Sequence, residues 1–262
     1  MLVATKTGYR RTMEVPAFVA PVSDSGESDK QGAGFGVQMS DSPESDTQGR
    51  DSEGCSRRPG EERQHLQAAG SQYGWMADSR PETMIRDAKE SALHLGVDTL
   101  DLLYSHGPDP AVPYEDQCGA LKQLLDEGVI KYAGISRVNN EQIDLARGII
   151  GSGLVAVQNQ FSPSHPDPEH TMEHCAELGL AFVCWSPLGG FLDTFDQSAY
   201  DPFRTVAAQR GCSYQRVVLA WELTRYERLF TIPSARNPQE INDSFAATQL
   251  QLTQEELAML PR

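Results

Sequence analysis

Basic residues are scarce in this chain: 22 Lys and Arg stand against 37 Asp and Glu, a formal charge of −15 over 262 residues. Binding a polyanion by counterion release needs clustered Lys and Arg, and none are found, which argues against DNA or RNA as a partner. Cysteine is sparse too. Cys55, Cys118, Cys175, Cys184 and Cys212 are odd in number, scattered, and without a C-x-x-C pair, which fits reduced thiols in a cytosol better than a disulfide framework. No apolar run approaches a membrane span, and the amino terminus lacks the basic-then-apolar layout of a signal peptide. The expectation is a soluble, cytoplasmic protein that binds neither nucleic acid nor membrane.

Several chemical motifs are also missing. Gly32, Gly34 and Gly36 resemble a nucleotide loop superficially, but no strand precedes them and no periodic helix follows, so a flexible linker is expected there. No G-x-S-x-G supports a serine hydrolase. His170 and His174 lie four apart, but without H-E-x-x-H or a third ligand they read as a solvated helix face, and no metal is expected.

What is present is an alternation. Met1–Thr7 reads as a strand. From about residue 10 to 78, Ser, Gly, Asp, Glu and Gln dominate, and such a segment cannot bury enough apolar surface to offset its ordering entropy, so most of it is expected to be a disordered insertion. Order is expected again at Ser79, where Ser79-Arg-Pro-Glu82 has capping-box spacing before a helix that Gly96 stops. Strands are expected at Thr99–His106, with His106 at the carboxyl tip, and at Val129–Ser136, Leu154–Gln160, Leu180–Ser186 and Leu229–Pro233, six in all with the first. Helices are expected at Tyr114–Glu127, Asn140–Ile150, Pro168–Leu178, Pro202–Arg210 and Ser213–Arg225, and after the caps at Asn237 and Thr253.

Strands separated by helices at this spacing mean βαβ units and a parallel sheet. An open doubly wound sheet and an eight-stranded barrel both fit. The missing glycine fingerprint counts against a dinucleotide-binding doubly wound sheet. Polar residues instead collect at the carboxyl ends of the strands: Lys6, His106, Ser136, Gln160, Trp185 with Ser186, and Ser234 with Arg236. That distribution is what the active face of a barrel enzyme looks like.

The series ATK at Lys6, DLLYSHGPD at His106, GISRVN at Ser136, VQNQFSP at Gln160, WSPLGG at Trp185 and IPSARNPQEI at Pro233 resembles the aldo-keto reductases, in order and at compatible spacing. The match covers about Leu2–Gly8 and Ser79 onward. The resemblance implies an α/β fold, a (β/α)8 TIM barrel forming a single domain interrupted by the insertion. It implies NADPH-dependent reduction of a small-molecule aldehyde or ketone: hydride passes from the nicotinamide to the carbonyl carbon while a tyrosine delivers a proton to the oxygen. Lys6 matches the lysine that depresses the tyrosine's pKa, and His106 the histidine that holds the carbonyl. Ser136 and Gln160 match the groups that bond the nicotinamide carboxamide, with Arg137 where the family usually has Asn. Trp185 matches the stacking aromatic, and Ser186, Pro187, Leu188 and Gly189, through Gly190, the pyrophosphate loop. Arg236 matches the site of the adenosine 2′-phosphate, where a free helix start favours anions. A second basic residue found in that helix is Glu240 here, and a frequent later Asn is Ser244.

The family's catalytic aspartate and tyrosine lie before the lysine strand, so the first two strand-helix units are expected to have no counterpart and the barrel to be incomplete. Two readings follow: a carbonyl reductase, or a catalytically inactive relative that binds nucleotide as a remnant or regulatory partner. Six strands also leave two unpaired sheet edges, from which weak stability or self-association is expected.

Overall fold

The computed structural model describes residues 4–7, 9–11, 75–167, 169–189 and 196–261, with side chains from residue 77 onward. The glycine-rich stretch at 32–36, most of the expected insertion, and Gly190 lie outside the described residues.

In chain order the strands are β1 (Ala4–Thr7), β2 (Tyr9–Arg11), β3 (Trp75–Ala77), β4 (Leu100–Ser105), β5 (Ile130–Ser136), β6 (Leu154–Gln160), β7 (Ala181–Trp185) and β8 (Leu229–Thr231). The helices are α1 (Pro81–Leu95), α2 (Tyr114–Asp126), α3 (Asn140–Ile150), α4 (Thr171–Glu177), α5 (Asp201–Arg210), α6 (Tyr214–Leu223), α7 (Pro238–Ala246) and α8 (Gln254–Met259). Six strands form one parallel sheet in the order β1-β4-β5-β6-β7-β8. Among the described residues the two outer strands, β1 and β8, have one neighbour each, so the sheet is an open arc of a barrel. The short strands β2 and β3 pair antiparallel. Described structure therefore resumes at Trp75, ahead of Ser79.

The two sheet faces differ. Leu103, Ala133, Ile135, Val157, Phe182 and Cys184 face the helices and join the main core with Met84, Leu121, Ile143, Phe203 and Val217. Each fully buried Leu, Ile or Phe there contributes about 1.5–3 kcal/mol. The opposite, inner face carries a smaller cluster of Tyr104, Ala156 and Val183. Gly134 belongs to it by necessity: a Cβ there would stand 2.3 Å from the Tyr104 ring. Tyr132 and Phe230, on this face by register, are exposed.

Helix starts follow the sequence at Asn139, Ser213, Asn237 and Thr253, whose side chains accept from the backbone as N-caps. The start at Ser79 does not. Arg80 is the N-cap position, Pro81 opens α1, and the Ser79 N–H goes to Asp109 instead. Pro81 fits the first helical position because it has no N–H to leave unpaired. The fourth connection also starts later than expected, at Thr171, behind His170 in a left-handed conformation. His174 bonds Asp144 at 2.8 Å, an ordinary helix-to-helix contact.

No described helix is long and apolar enough to cross a membrane. The buried thiols are inert: burial pushes Cys118 up to about 11 and Cys175 up to about 12, and Cys184 is raised as well. One polar group in the core stands out. Glu222 of α6 is fully buried beside the Cys184 thiol, with no stronger hydrogen-bond partner among the described residues, and burial pushes its carboxyl well above the usual carboxylate range.

Candidate functional site

The carboxyl ends of the parallel strands are where this architecture can do chemistry, because the connecting loops are free to carry polar groups there. Register places the sequence candidates on them. On the inner face, Lys6 pairs in register with Tyr104, and Tyr104 with Gly134. His106 follows two residues after Tyr104, just past the end of β4, and is half-buried. Ser136 pairs with Gln158, and Gln160 with Trp185.

The loop carrying His106 is fixed by two residues that sequence reading passes over. The buried Asp109 carboxylate accepts from the backbone N–H of Ser79 at 3.0 Å and of Ala111 at 2.9 Å. The buried Gln117 side chain of α2 accepts from Asp109 N–H and donates to the carbonyls of Asp109 and Val112. These bonds tie the Gly-Pro-Asp-Pro turn to α1 and α2. Their only sequence signal is a polar residue on the inward face of an otherwise apolar helix.

At the end of β5 the Ser136 hydroxyl is buried and donates to Gln158 O at 2.7 Å, while the Arg137 backbone N–H reaches the same carbonyl at 3.1 Å. Ser136 is thus spent within the sheet as a donor and keeps acceptor capacity. Arg137 takes a left-handed φ of 58°, and its guanidinium carbon comes 5.2 Å from the Trp185 ring centroid. A non-glycine residue in this region costs energy, and the cation–π contact and the shared carbonyl offset it.

The strand ends of β6 and β7 hold unpaired groups. Gln160 Nε2, Trp185 Nε1 and Gln158 Oε1 are buried atoms without a hydrogen-bond partner among the described residues. Each unpaired buried polar group costs about 1–3 kcal/mol, so three on adjacent strands are a standing preference for something that bonds them. After β7, Ser186 is left-handed with φ 49°, and the Gly189 N–H returns to Ser186 O at 2.8 Å, closing a turn over Pro187 and Leu188. The buried Tyr200 anchors this turn by donating its hydroxyl to Leu188 O at 3.1 Å.

Leu188 also lines a cavity of about 500 Å³ that extends to the start of α7, past Ser213, Ser234, Arg236, Glu240 and Asp243. The Arg236 guanidinium bonds Glu240 Oε1 at 2.9 Å from Nη2, and its backbone N–H gives 2.8 Å to Oε2. The Arg236 backbone N–H and guanidinium hold the Glu240 carboxyl below the usual range, so it stays charged. Asp243 is engaged by Arg216 and Ser213.

The structure thus brings His106, Ser136, Arg137, Gln160, Trp185 and the Ser186–Gly189 turn to one end of the sheet, and sets Arg236 at the far end of the adjoining cavity. Lys6 is placed by its backbone. Tyr104, which sequence reading did not single out, stands beside it in register, and burial pushes its phenol up to about 12. The donor set suits a nicotinamide dinucleotide: a carboxamide would satisfy Gln160 Nε2 and Gln158 Oε1.

Comparison with known proteins bears on the fold and the family. Pyridoxine 4-dehydrogenase of Escherichia coli (strain K12) is 28% identical over 198 residues, spanning 73% of this chain and 67% of that protein. The solved aldose reductase from Giardia lamblia matches with a TM-score of 0.61 at 25% identity over 69% of this chain and 67% of that one. A Bombyx mori aldo-keto reductase, solved in complex with NADP, matches with a TM-score of 0.58 at 24% identity over 69% and 62%. This chain therefore corresponds to about two thirds of the length of each. The model of the aldo/keto reductase family matches residues 63–262, a span that takes in every candidate above except Lys6. With more than half of its length matched and its parallel strands in the family's arrangement, the chain belongs to the aldo/keto reductase family.

Proposed function

We propose that this protein is an oxidoreductase that reduces aldehydes or ketones to alcohols with a nicotinamide dinucleotide. The observation that carries the reading is the set of buried polar atoms on Gln158, Gln160 and Trp185 that are unpaired among the described residues, on neighbouring strands, with Arg137 over the Trp185 ring. The cofactor, when bound, supplies a hydride for the carbonyl carbon. Gln160 donates to the carboxamide, Ser136 accepts from it, and the Trp185 ring flanks the nicotinamide. The Ser186–Gly189 turn follows the pyrophosphate, and Arg236 lies toward the adenosine. NADPH is the form the family resemblance implies, through Arg236. His106 holds the carbonyl oxygen with a ring nitrogen, which polarises the carbon for attack. Lys6 matches the family lysine that lowers a phenol's pKa; no tyrosine of this chain is assigned that role, and water supplies the proton that turns the alkoxide into the alcohol.

A second reading, a chain that binds dinucleotide without turnover, is favoured by one observation. Tyr104, the described tyrosine in register with Lys6, is buried and stays protonated up to about 12, so it is a poor proton donor to a carbonyl at neutral pH. Oxidation of reduced dinucleotide by a reactive aldehyde separates the two. Turnover that disappears in Lys6→Met and His106→Ala supports the reductase; quenching of tryptophan fluorescence by dinucleotide without turnover supports the second reading. The same proposal includes self-association through the β1 and β8 edges and the exposed Tyr132 and Phe230, to be read as concentration-dependent sedimentation.

A further inference from the structure

The adenosine end of the cavity carries an inference that rests on the cofactor reading above. A 2′-phosphate needs donors and a cation that are free to meet it. At the start of α7 the Arg236 backbone N–H, two of its guanidinium nitrogens and the Asn237 amide already bond a carboxylate of this chain. Glu240 Oε1 accepts from Arg236 Nη2 at 2.9 Å, Arg236 Nε at 3.2 Å and Asn237 Nδ2 at 3.2 Å, and Oε2 accepts from the Arg236 backbone N–H at 2.8 Å. Glu240's own N–H is bonded to Asn237 Oδ1 at 2.9 Å. A carboxylate of this chain therefore occupies the anion position that Arg236 and the helix start would otherwise offer.

The remaining lining does not compensate. Arg236 is the one cation among the described residues lining the cavity, and Asp243, also in the lining, is already paired with Arg216. The other polar lining groups, on Ser213, Gln215, Ser234, Gln239 and Ser244, are neutral hydroxyls and amides. Such a wall suits a ribose diol, and a carboxylate at its edge can accept from a 2′-hydroxyl, whereas a phosphate dianion would meet like charge.

We propose that Glu240 is a specificity-determining residue that turns this site toward NADH and against NADPH. The test is equilibrium binding, followed by tryptophan fluorescence quenching or calorimetry, of NADH and NADPH to the full chain and to Glu240→Gln. The expected result is NADH binding about tenfold tighter than NADPH in the native chain. In Glu240→Gln, NADPH should gain about tenfold and NADH change by less than about threefold. Adding Arg236→Gln to that variant should remove the gain, and circular dichroism of each variant checks folding. NADPH binding as tightly as NADH or tighter in the native chain would overturn the proposal, whatever the variants do. Binding of neither dinucleotide would instead overturn the cofactor reading beneath it, and this inference with it.

Discussion

The two ends of the candidate cleft are built on opposite principles. At the ends of β6 and β7, polar atoms are buried and, among the described residues, without partners, while the turns around them are pinned: the Ser136 hydroxyl and the Arg137 N–H bond Gln158 O, and Asp109 accepts from the N–H groups of Ser79 and Ala111. At the start of α7 the groups are exposed, and Glu240 meets the Arg236 guanidinium, the Arg236 backbone N–H and the Asn237 side chain. A rigid sheet can hold unsatisfied groups aimed at a ligand because refolding around them would break the ladder. An exposed helix start satisfies itself locally, and a ligand there competes with a neighbour four residues away. The first end discriminates by shape and unpaired polarity, the second by charge.

Four substitutions sharpen this contrast. The largest effect is expected of His106→Ala, which should lower kcat/KM with a reactive aldehyde by about 10²–10³ while dinucleotide affinity changes by less than about threefold. Equal losses in binding and rate would move His106 from the reacting carbonyl to the cofactor. Next comes Asp109→Ala, which frees two backbone N–H groups and should cost about 2–3 kcal/mol in urea unfolding; a loss below about 1 kcal/mol would mean the His106 loop is held by other means. Between the two ends, Glu222→Gln should remove a pH dependence. Because the Glu222 carboxyl is raised in the folded state, the unfolded chain releases its proton first. Stability should therefore fall as pH rises above the ordinary carboxylate pKa, with a slope approaching one proton, and the variant should flatten that limb. The acid limb has the opposite source. Arg210 holds Glu256 down to about 2, so that contribution is lost as pH falls toward 2 and should persist in the variant. The smallest effect belongs to Arg236→Ala. Its side chain is 90% exposed, so despite its several bonds to Glu240 the loss in urea unfolding should stay below about 1 kcal/mol.

How much of this was readable in advance depends on how local each feature is. Leu154–Gln160 and Asn140–Ile150 fall where periodicity puts them, because a run of apolar residues bounded by Gly and polar residues has few alternatives. The capping box at Thr253–Glu256 forms as written, but the same spacing at Ser79–Glu82 does not, because Pro81 opens the helix and Asp109, thirty residues on, takes the Ser79 N–H. The strand-end candidates at Ser136, Gln160, Trp185 and the 186–189 turn were legible as polar residues ending apolar runs. What they touch was not. Arg137 over Trp185 needs a left-handed turn and two intervening strand crossovers, and the unpaired state of Gln160 and Trp185 is a property of packing. The Arg236–Glu240 pair lies at helical spacing and could be seen in the sequence, but its occupation of an anion position appears only with the cavity around it.

The central claim is hydride transfer from a dinucleotide held at the strand ends to a carbonyl compound. It is tested most directly by incubating the full chain with reduced dinucleotide carrying deuterium at the transferable nicotinamide position and a reactive aldehyde, then analysing the alcohol by mass spectrometry. The account predicts alcohol bearing one deuterium from the cofactor, formed with one stereochemistry and lost in His106→Ala. Dinucleotide that binds and quenches tryptophan fluorescence while no deuterium reaches the product would contradict it.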